Sequence, residues 1–359
     1  RRNGEQQYAE TGKTFFQGLF FLLILAVLLC MLSKIFSPVL LKHLITSDDV
    51  YNAVIRYLDW RIWGLLFSFP FLALRSFLVG ITQTKALNMA AFTAVLVNIP
   101  LNWLLIFGFD MGISGAAIAS SSAEMCSLAV LAAYMFRHID KKAYGLYWRI
   151  DITVLKEVFS ISVWSMLQFF TSVAIWFLFF VAIERLGETE LAVSNIIRSV
   201  SALFSVIVNA LASVSGSLGS NLIGAGEKKK VFPLCHKIIR LGYATGIPLI
   251  AFALFFHQHI IGAYTENPAI VQLAWPPFLV MLLNYFFALP SYVYLNAVTG
   301  TGATRTVFIF QVITTIAYLF CLWGLDFCDV PLAAYWAVEY LYVMLLGTQS
   351  VIYLKYKQY

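Results

Sequence analysis

Charge is what this sequence has least of. Only 12% of its 359 residues are Asp, Glu, Lys or Arg, while 61% are hydrophobic; a soluble domain carries about 25% charge and roughly 45–50% apolar residues. That deficit excludes a water-soluble globule. The mean hydropathy of +0.82 shows that apolar side chains have replaced the missing charges. The net charge of +6 alone would allow a nucleic-acid partner. The basic residues stand between apolar runs, however, and form no patch on a wetted face, so none is expected. Cysteine is also scarce: Cys30, Cys126, Cys235, Cys321 and Cys328 are scattered without metal-type spacing and read as small core residues. The histidines (His43, His138, His236, His257, His259) are dispersed, and no phosphate loop, zinc signature or nucleophile elbow is present. A membrane-embedded enzyme is therefore disfavoured, and no metal or cofactor is expected. His257 and His259, two residues apart beside an apolar run, would not share a helical face and read as interfacial.

What is there is apolar sequence in long runs. A bilayer-crossing helix needs about 20 mostly apolar residues, and ten stretches qualify: 14–36, 52–80, 86–109, 112–137, 156–184, 190–222, 233–258, 270–299, 304–326 and 331–354. The expected fold is an all-α polytopic transmembrane bundle. Orientation follows from Lys and Arg. With residue 1 in the cytoplasm, the inner side receives seventeen: Arg1, Arg2, Lys13, Lys85, Arg137, Lys141, Lys142, Arg149, Lys156, Lys228, Lys229, Lys230, Lys237, Arg240, Arg305, Lys355 and Lys357. The outer side receives five: Lys34, Lys42, Arg56, Arg61 and Arg185. Both ends of the chain are thus expected to be cytoplasmic. The stretch DKKAYGLYWRIDITVLKE (140–157) is the longest polar connection. It divides the chain into a lobe at 1–138, a cytoplasmic linker at 139–155 and a lobe at 156–359, with Tyr144, Tyr147 and Trp148 expected at headgroup depth.

The two lobes carry an internal repeat at an offset of 220. PFLALRSFLVGITQTK (70–85) aligns with PSYVYLNAVTGTGATR (290–305), matching Pro70 with Pro290, Gly80 with Gly300 and Lys85 with Arg305. Phe67 matches Phe287 and Trp103 matches Trp323. With small indels, RNGEQ (2–6) aligns with GAGEK (224–228), sharing Gly4/Gly226 and Glu5/Glu227. Shared Pro, Gly and Trp in register are hard to obtain by chance in apolar sequence, and weak internal symmetry is the mark of many transporters. Two spans precede the matched four in the second copy and none in the first, so a six-helix unit would leave about two helices upstream of Arg1.

These stretches, with VNIPLNWLLIFGFDMGISGAAIAS (97–120), SNLIGAGEKKK (220–230) and TGTGATR (299–305), resemble the multidrug and toxic compound extrusion (MATE) transporters. The resemblance covers nearly the whole chain. It implies twelve helices in two pseudo-symmetric lobes, ten of them present here. It also implies a monomeric secondary transporter of the bacterial inner membrane, exporting amphipathic or cationic small molecules in exchange for H+ or Na+ by alternating access. A lipid-linked oligosaccharide flippase of the same superfamily is the alternative. It would want a strongly basic cavity, and only Arg75 and Arg198 are intramembrane bases.

A charge inside a bilayer is costly, and function is the default reading of each. Glu124, midway along 112–137 and next to Ser120, Ser121 and Ser122, is the best-placed acid for cation coupling. The alternative is a carboxylate pinned by a basic or hydroxyl partner. Asn98 and Asn102 share a helical face around Pro100 and offer carboxamide oxygens to a cation. Some archaeal relatives have an acid where Asn102 stands. In the second lobe, the acids of sodium-coupled relatives fall near Phe170 and Ala288, and neither is acidic here. Gln168, Asn195, Arg198, Asn284, Tyr285 and Tyr292 are the candidates for a substrate cavity. Arg198 either faces it, snorkels or pairs with an acid such as Glu184. Glu339 is the weaker acidic candidate. Pro70, Pro100 and Pro290 each remove a backbone hydrogen bond and are the candidate hinges.

Overall fold

The computed structural model describes residues 1–147, 150–328 and 330–357. Trp148 and Arg149, counted above at the inner membrane surface, lie outside the described residues. The described residues form helices and turns with no strand. The ten expected spans are all present, and most boundaries agree within a few residues.

Gln6–Val158, with Arg2, form one compact unit. Its helices are α1 (Tyr8–Leu44), α2 (Asp48–Arg61), α3 (Leu65–Gly80), α4 (Lys85–Trp103) and α5 (Gly112–His138). The 3-10 turn Ile62–Gly64 joins α2 to α3 into one span, and the π turn Leu104–Gly108 extends α4. The first span is longer than its apolar run, 37 residues instead of 23. At 1.5 Å per residue it reaches about 55 Å, against a hydrocarbon layer of about 30 Å. The core of this unit is Phe15, Leu74, Phe77, Leu78, Leu131 and Met135. Most of α4 stays outside that core: Phe92, Val95, Ile99 and Trp103 are each more than half exposed, an apolar face suited to lipid.

The linker stretch is tied into this unit. Gly145 takes a left-handed φ of 54°, which turns the chain so that Tyr144 lies against Tyr8 and Phe77, with ring centroids 5.2 and 5.8 Å away. Tyr144 is therefore half-buried against the core of this unit. Burial, with Tyr8 nearby, pushes its phenol above the ordinary value. Tyr147 remains exposed. Asp151 caps the next helix, accepting from the backbone of Thr153 and Val154, and pairs with Lys13 at 2.7 Å. The hydrogen bond from Lys13, with those backbone donors, holds the Asp151 carboxyl below the usual carboxylate range.

Phe159 onward, with Arg1 and Asn3–Glu5, form the second unit. Most of α6 (Ile152–Glu184) belongs to it, with α7 (Glu188–Gly224), α8 (Val231–Phe255), α9 (His257–Gly262), α10 (Pro268–Gly300), α11 (Thr304–Leu325) and α12 (Leu332–Tyr356). Helix α10 is its axis. It starts on an Asn267 cap with Pro268 at the first position, and half of its most apolar window is buried. Small residues let neighbouring helices close on it. A Cβ on Gly300 would lie 2.4 Å from the Gly216 carbonyl, and one on Gly347 would lie 2.3 Å from the Ser291 hydroxyl. The short α9 was not expected as a helix; its His257 ring lies 4.0 Å from Trp275.

The repeat is written in the backbone. Thr82 and Gly302 are both left-handed, with φ of 62° and 89°, as are Gln6 and Gly226, with 59° and 81°. Each pair differs by 220. The capping bonds repeat too: Ile81 N to Phe77 O (3.0 Å) with Thr301 N to Ala297 O (3.2 Å), and Gln7 N to Arg2 O with Glu227 N to Leu222 O (both 2.9 Å). This register corrects the alignment of RNGEQ with GAGEK by two residues: Gln6, not Gly4, is the counterpart of Gly226. Gly4 corresponds to Gly224, and the two make reciprocal contacts. A Cβ on Gly4 would lie 2.0 Å from Asn221 O, and one on Gly224 would lie 2.2 Å from Arg1 O. Arg1 and Asn221 are themselves 220 apart, so the contact is reciprocal in the register of the repeat. It explains why Arg1 and Asn3–Glu5 join the later unit although the sequence divides the lobes at 138.

Candidate functional site

In the first unit, polar side chains gather where α4 and α5 face each other and the 3-10 turn. Asn102 Nδ2 donates to Asn98 Oδ1 at 3.0 Å, and Asn98 Nδ2 reaches Ser120 Oγ at 3.5 Å. The expected shared face of the two asparagines is present. One turn beyond Ser120 on α5 is Glu124. It is not a free carboxyl. Arg61 holds it with both guanidinium nitrogens, at 2.9 and 2.6 Å, and the Ser68 hydroxyl donates to Oε2. Each side chain of the ion pair is a little over a quarter exposed. Burial without a counter-ion was to prepare Glu124 for proton exchange, but Arg61 is a counter-ion at 2.6 Å. Gly64 makes the arrangement possible, since a Cβ there would stand 2.2 Å from the Arg61 guanidinium and 3.2 Å from Glu124 Oε2. Ser121 Oγ, beside it, is buried without a partner among the described residues.

Arg61, Gly64 and Ser68 escaped the sequence reading, which counted Arg61 as a surface base. Their spacing of three and four residues, one helical face two turns long, was the available signal. Of the candidate hinges, Pro70 sits inside α3 and Pro290 inside α10. Pro100 sits inside α4, four residues before the π turn.

The second unit holds a different polar cluster. Glu339 on α12 accepts a hydrogen bond from the Tyr318 hydroxyl of α11 at 2.7 Å. Next to it, Gln311 Nε2 donates to the Tyr342 hydroxyl at 2.6 Å, and Gln349 Nε2 to Thr314 Oγ1 at 2.9 Å. Tyr318, Gln311 and Thr314 are essentially inaccessible, whereas Glu339 and Tyr292 keep partial exposure. Tyr318, Gln311 and Tyr342 were not singled out from sequence. Residues 311, 314 and 318, on one face of an otherwise apolar helix, were the signal.

The cavity candidates divide. Asn284 Oδ1 is buried with no hydrogen-bond partner among the described residues. Asn195 turns back to its own helix at Leu191 O, and Gln168 is half-buried. Arg198 lies over the Phe180 ring at 5.0 Å, so its partner is an aromatic face and not Glu184. Tyr285 is a correction. It is 3% exposed, its hydroxyl donates to Gly242 O at 2.8 Å, and its ring fills the space left by Gly246. It is a packing residue of α8 and α10. Among the described residues no group of three or more His, Cys, Asp or Glu could hold a metal ion.

Comparison with known proteins gives one picture. Residues 1–104 and 165–323 match the family model described as MatE. A probable multidrug resistance protein NorM of Shewanella oneidensis is 25% identical over 334 residues, covering 90% of this chain and 70% of that protein. The multidrug resistance protein NorM of Vibrio cholerae is also 25% identical, over 65% of this chain and 53% of its own length. Among solved structures, an outward-facing multidrug resistance MATE family transporter superposes with a TM-score of 0.90 at 17% identity, covering 100% of this chain and 81% of that one. A eukaryotic MATE transporter, AtDTX14, superposes with a TM-score of 0.81 at 18% identity, covering 99% and 80%. The chain thus spans from about half to about two thirds of the length of these curated relatives.

Proposed function

The chain belongs to the MatE family, a family of multi-pass membrane transporters and not of enzymes, and on that premise we propose that it exports amphipathic or cationic small molecules in exchange for H+ or Na+ by alternating access. In this reading it works as a monomer in the bacterial inner membrane with both chain ends in the cytoplasm, supported by the seventeen-to-five distribution of Lys and Arg.

The observation that carries the coupling is the polar ladder inside the first unit. Asn102, Asn98 and Ser120 are joined by hydrogen bonds, and Glu124 stands one turn further, inside two membrane-spanning helices. Such a ladder is expensive in a bilayer unless it has work to do. The carboxamide and hydroxyl oxygens offer ligands to a cation. Glu124 exchanges partners: Arg61 holds it in this conformation, and arrival of a cation or proton frees the arginine. Pro70, Pro100 and Pro290 are the points at which α3, α4 and α10 bend between conformations. Substrate contacts come from Gln168, Asn195, Asn284 and Tyr292, with Arg198 and its aromatic neighbours. The unpartnered Asn284 oxygen is an acceptor awaiting a donor.

The test is uptake of ethidium into inside-out proteoliposomes under separate H+ and Na+ gradients. Glu124→Gln is expected to uncouple uptake from the gradient that drives the unsubstituted protein. Full coupling in that variant would remove Glu124 from the mechanism, and no gradient-driven uptake by the parent would overturn antiport.

A further inference from the structure

The second unit contains an acid that the coupling ladder of the first unit does not use. Glu339 lies two turns into the last span, with one hydrogen bond, 2.7 Å, from the Tyr318 hydroxyl. A carboxylate taken from water normally needs a cation or several donors. Neither flanking helix supplies a cation at that level. Helix α10 has no Asp, Glu, Lys or Arg anywhere along Pro268–Gly300, and the one charged residue of α11, Arg305, is thirteen residues from Tyr318 and stacks on Trp164 at 5.5 Å. On α12 the other charged residue is Lys355, sixteen positions away. On the more distant α7, Arg198 is engaged by Phe180. The titratable groups that face Glu339 are all phenols: Tyr318 from α11, Tyr342 from its own helix and Tyr292 from α10. Tyr342 is in turn held by Gln311 and lies within hydrogen-bonding range of Ser172 on α6. Glu339 is also partly exposed while its donor Tyr318 is not. The carboxyl is thus held by a phenol, on a residue that keeps some exposure.

We propose that Glu339 is a proton-exchanging site of the second unit, taking up one proton from water when substrate leaves and giving it back when a cationic substrate binds, with Tyr318 stabilising the ionised state. Protonation neutralises the carboxylate, and the Tyr318 hydrogen bond weakens as the acceptor loses its charge. Deprotonation restores both. Phenols suit this exchange where arginine does not, because none of them carries a positive charge that would lock the carboxylate as Arg61 locks Glu124. The proposal rests on the antiport reading and narrows it to protons.

The experiment measures protons directly. The detergent-solubilised protein is mixed with tetraphenylphosphonium, a permanent cation that carries no proton, in weakly buffered solution containing a pH-sensitive dye. Binding is followed in parallel by equilibrium dialysis. The unsubstituted protein is expected to release close to one proton per cation bound at a pH where the site is protonated. Glu339→Gln should bind the cation with that release abolished. Tyr318→Phe removes the donor that favours the carboxylate, so the midpoint of release should move up by about one pH unit. If Glu339→Gln fails to fold or bind, the Tyr318→Phe midpoint decides: no shift overturns the assignment. Undiminished release from Glu339→Gln overturns it while leaving proton antiport standing. A parent protein that releases no proton, and is driven in proteoliposomes by Na+ alone, overturns the proposal and the H+ form of the antiport reading together.

Discussion

The two units answer the same problem, an acid inside an apolar bundle, in opposite ways. Glu124 and Glu339 both lie on the final helix of their repeat, α5 and α12, which begin 220 residues apart at Gly112 and Leu332. The first is gripped by a guanidinium and a hydroxyl; the second by one phenol. Repeat-equivalent positions explain the difference. Where the first unit has Arg61 and Ser68, the second has Met281 and Ala288. Where the first has Asn98, the second has Tyr318, so the bridge between the last two helices survives while the chemistry changes. The backbone symmetry was kept and the charges were not, as expected if each half tunes its own acid for a separate task.

Three substitutions test how deep that contrast goes. The largest effect is expected from Arg61→Met, which strands the Glu124 carboxylate. Because the pair is partly exposed, the loss should be about 2 kcal/mol, between the surface and fully buried limits, read as a lower unfolding midpoint in detergent. Adding Glu124→Gln should recover much of it. A double variant no better than the single one would mean that the charges do not stabilise each other. A smaller effect, about 1 kcal/mol, is expected from Gln311→Leu, which deprives the Tyr342 phenol of its hydrogen bond. If the phenol cluster only supports Glu339, this variant should lower the unfolding midpoint and leave proton release per bound cation unchanged.

The smallest effect concerns Lys13→Met and pH. The Asp151 carboxyl is held below its ordinary value, first by Lys13. Its contribution is present above the usual carboxylate value, about 4, and is lost as pH falls through the lowered one. The unfolding midpoints of parent and variant should therefore differ slightly at neutral pH and converge on acidification. A difference that widened in acid would give the linker pair the wrong sign.

Much of this molecule could be read before any coordinates, and the reasons for success and failure are physical. Long apolar runs report their own helices, because burial in lipid is a local sum over side chains. The register at Pro70/Pro290 and Gly80/Gly300 held because left-handed and capping positions constrain residue type locally. The RNGEQ alignment slipped by two because a glycine match was given to Gly226 when the left-handed residue opposite it is Gln6. Tyr285 was misplaced for a simple reason. An amphipathic aromatic suits a membrane interface, a cavity or a core, and only its neighbours decide among them.

By itself the sequence determined that the chain crosses a membrane ten times as helices, that its halves repeat, and which family it resembles. Those properties reside in composition and short-range spacing. The tertiary structure alone decided which charges and hydroxyls meet. Arg61 finds Glu124 across 63 residues and Tyr318 finds Glu339 across 21, through helix faces whose rotation is set by packing at glycines such as Gly64 and Gly347. Hydrophobicity adds up along the chain, but partnership depends on angles between helices, which no local stretch of sequence records.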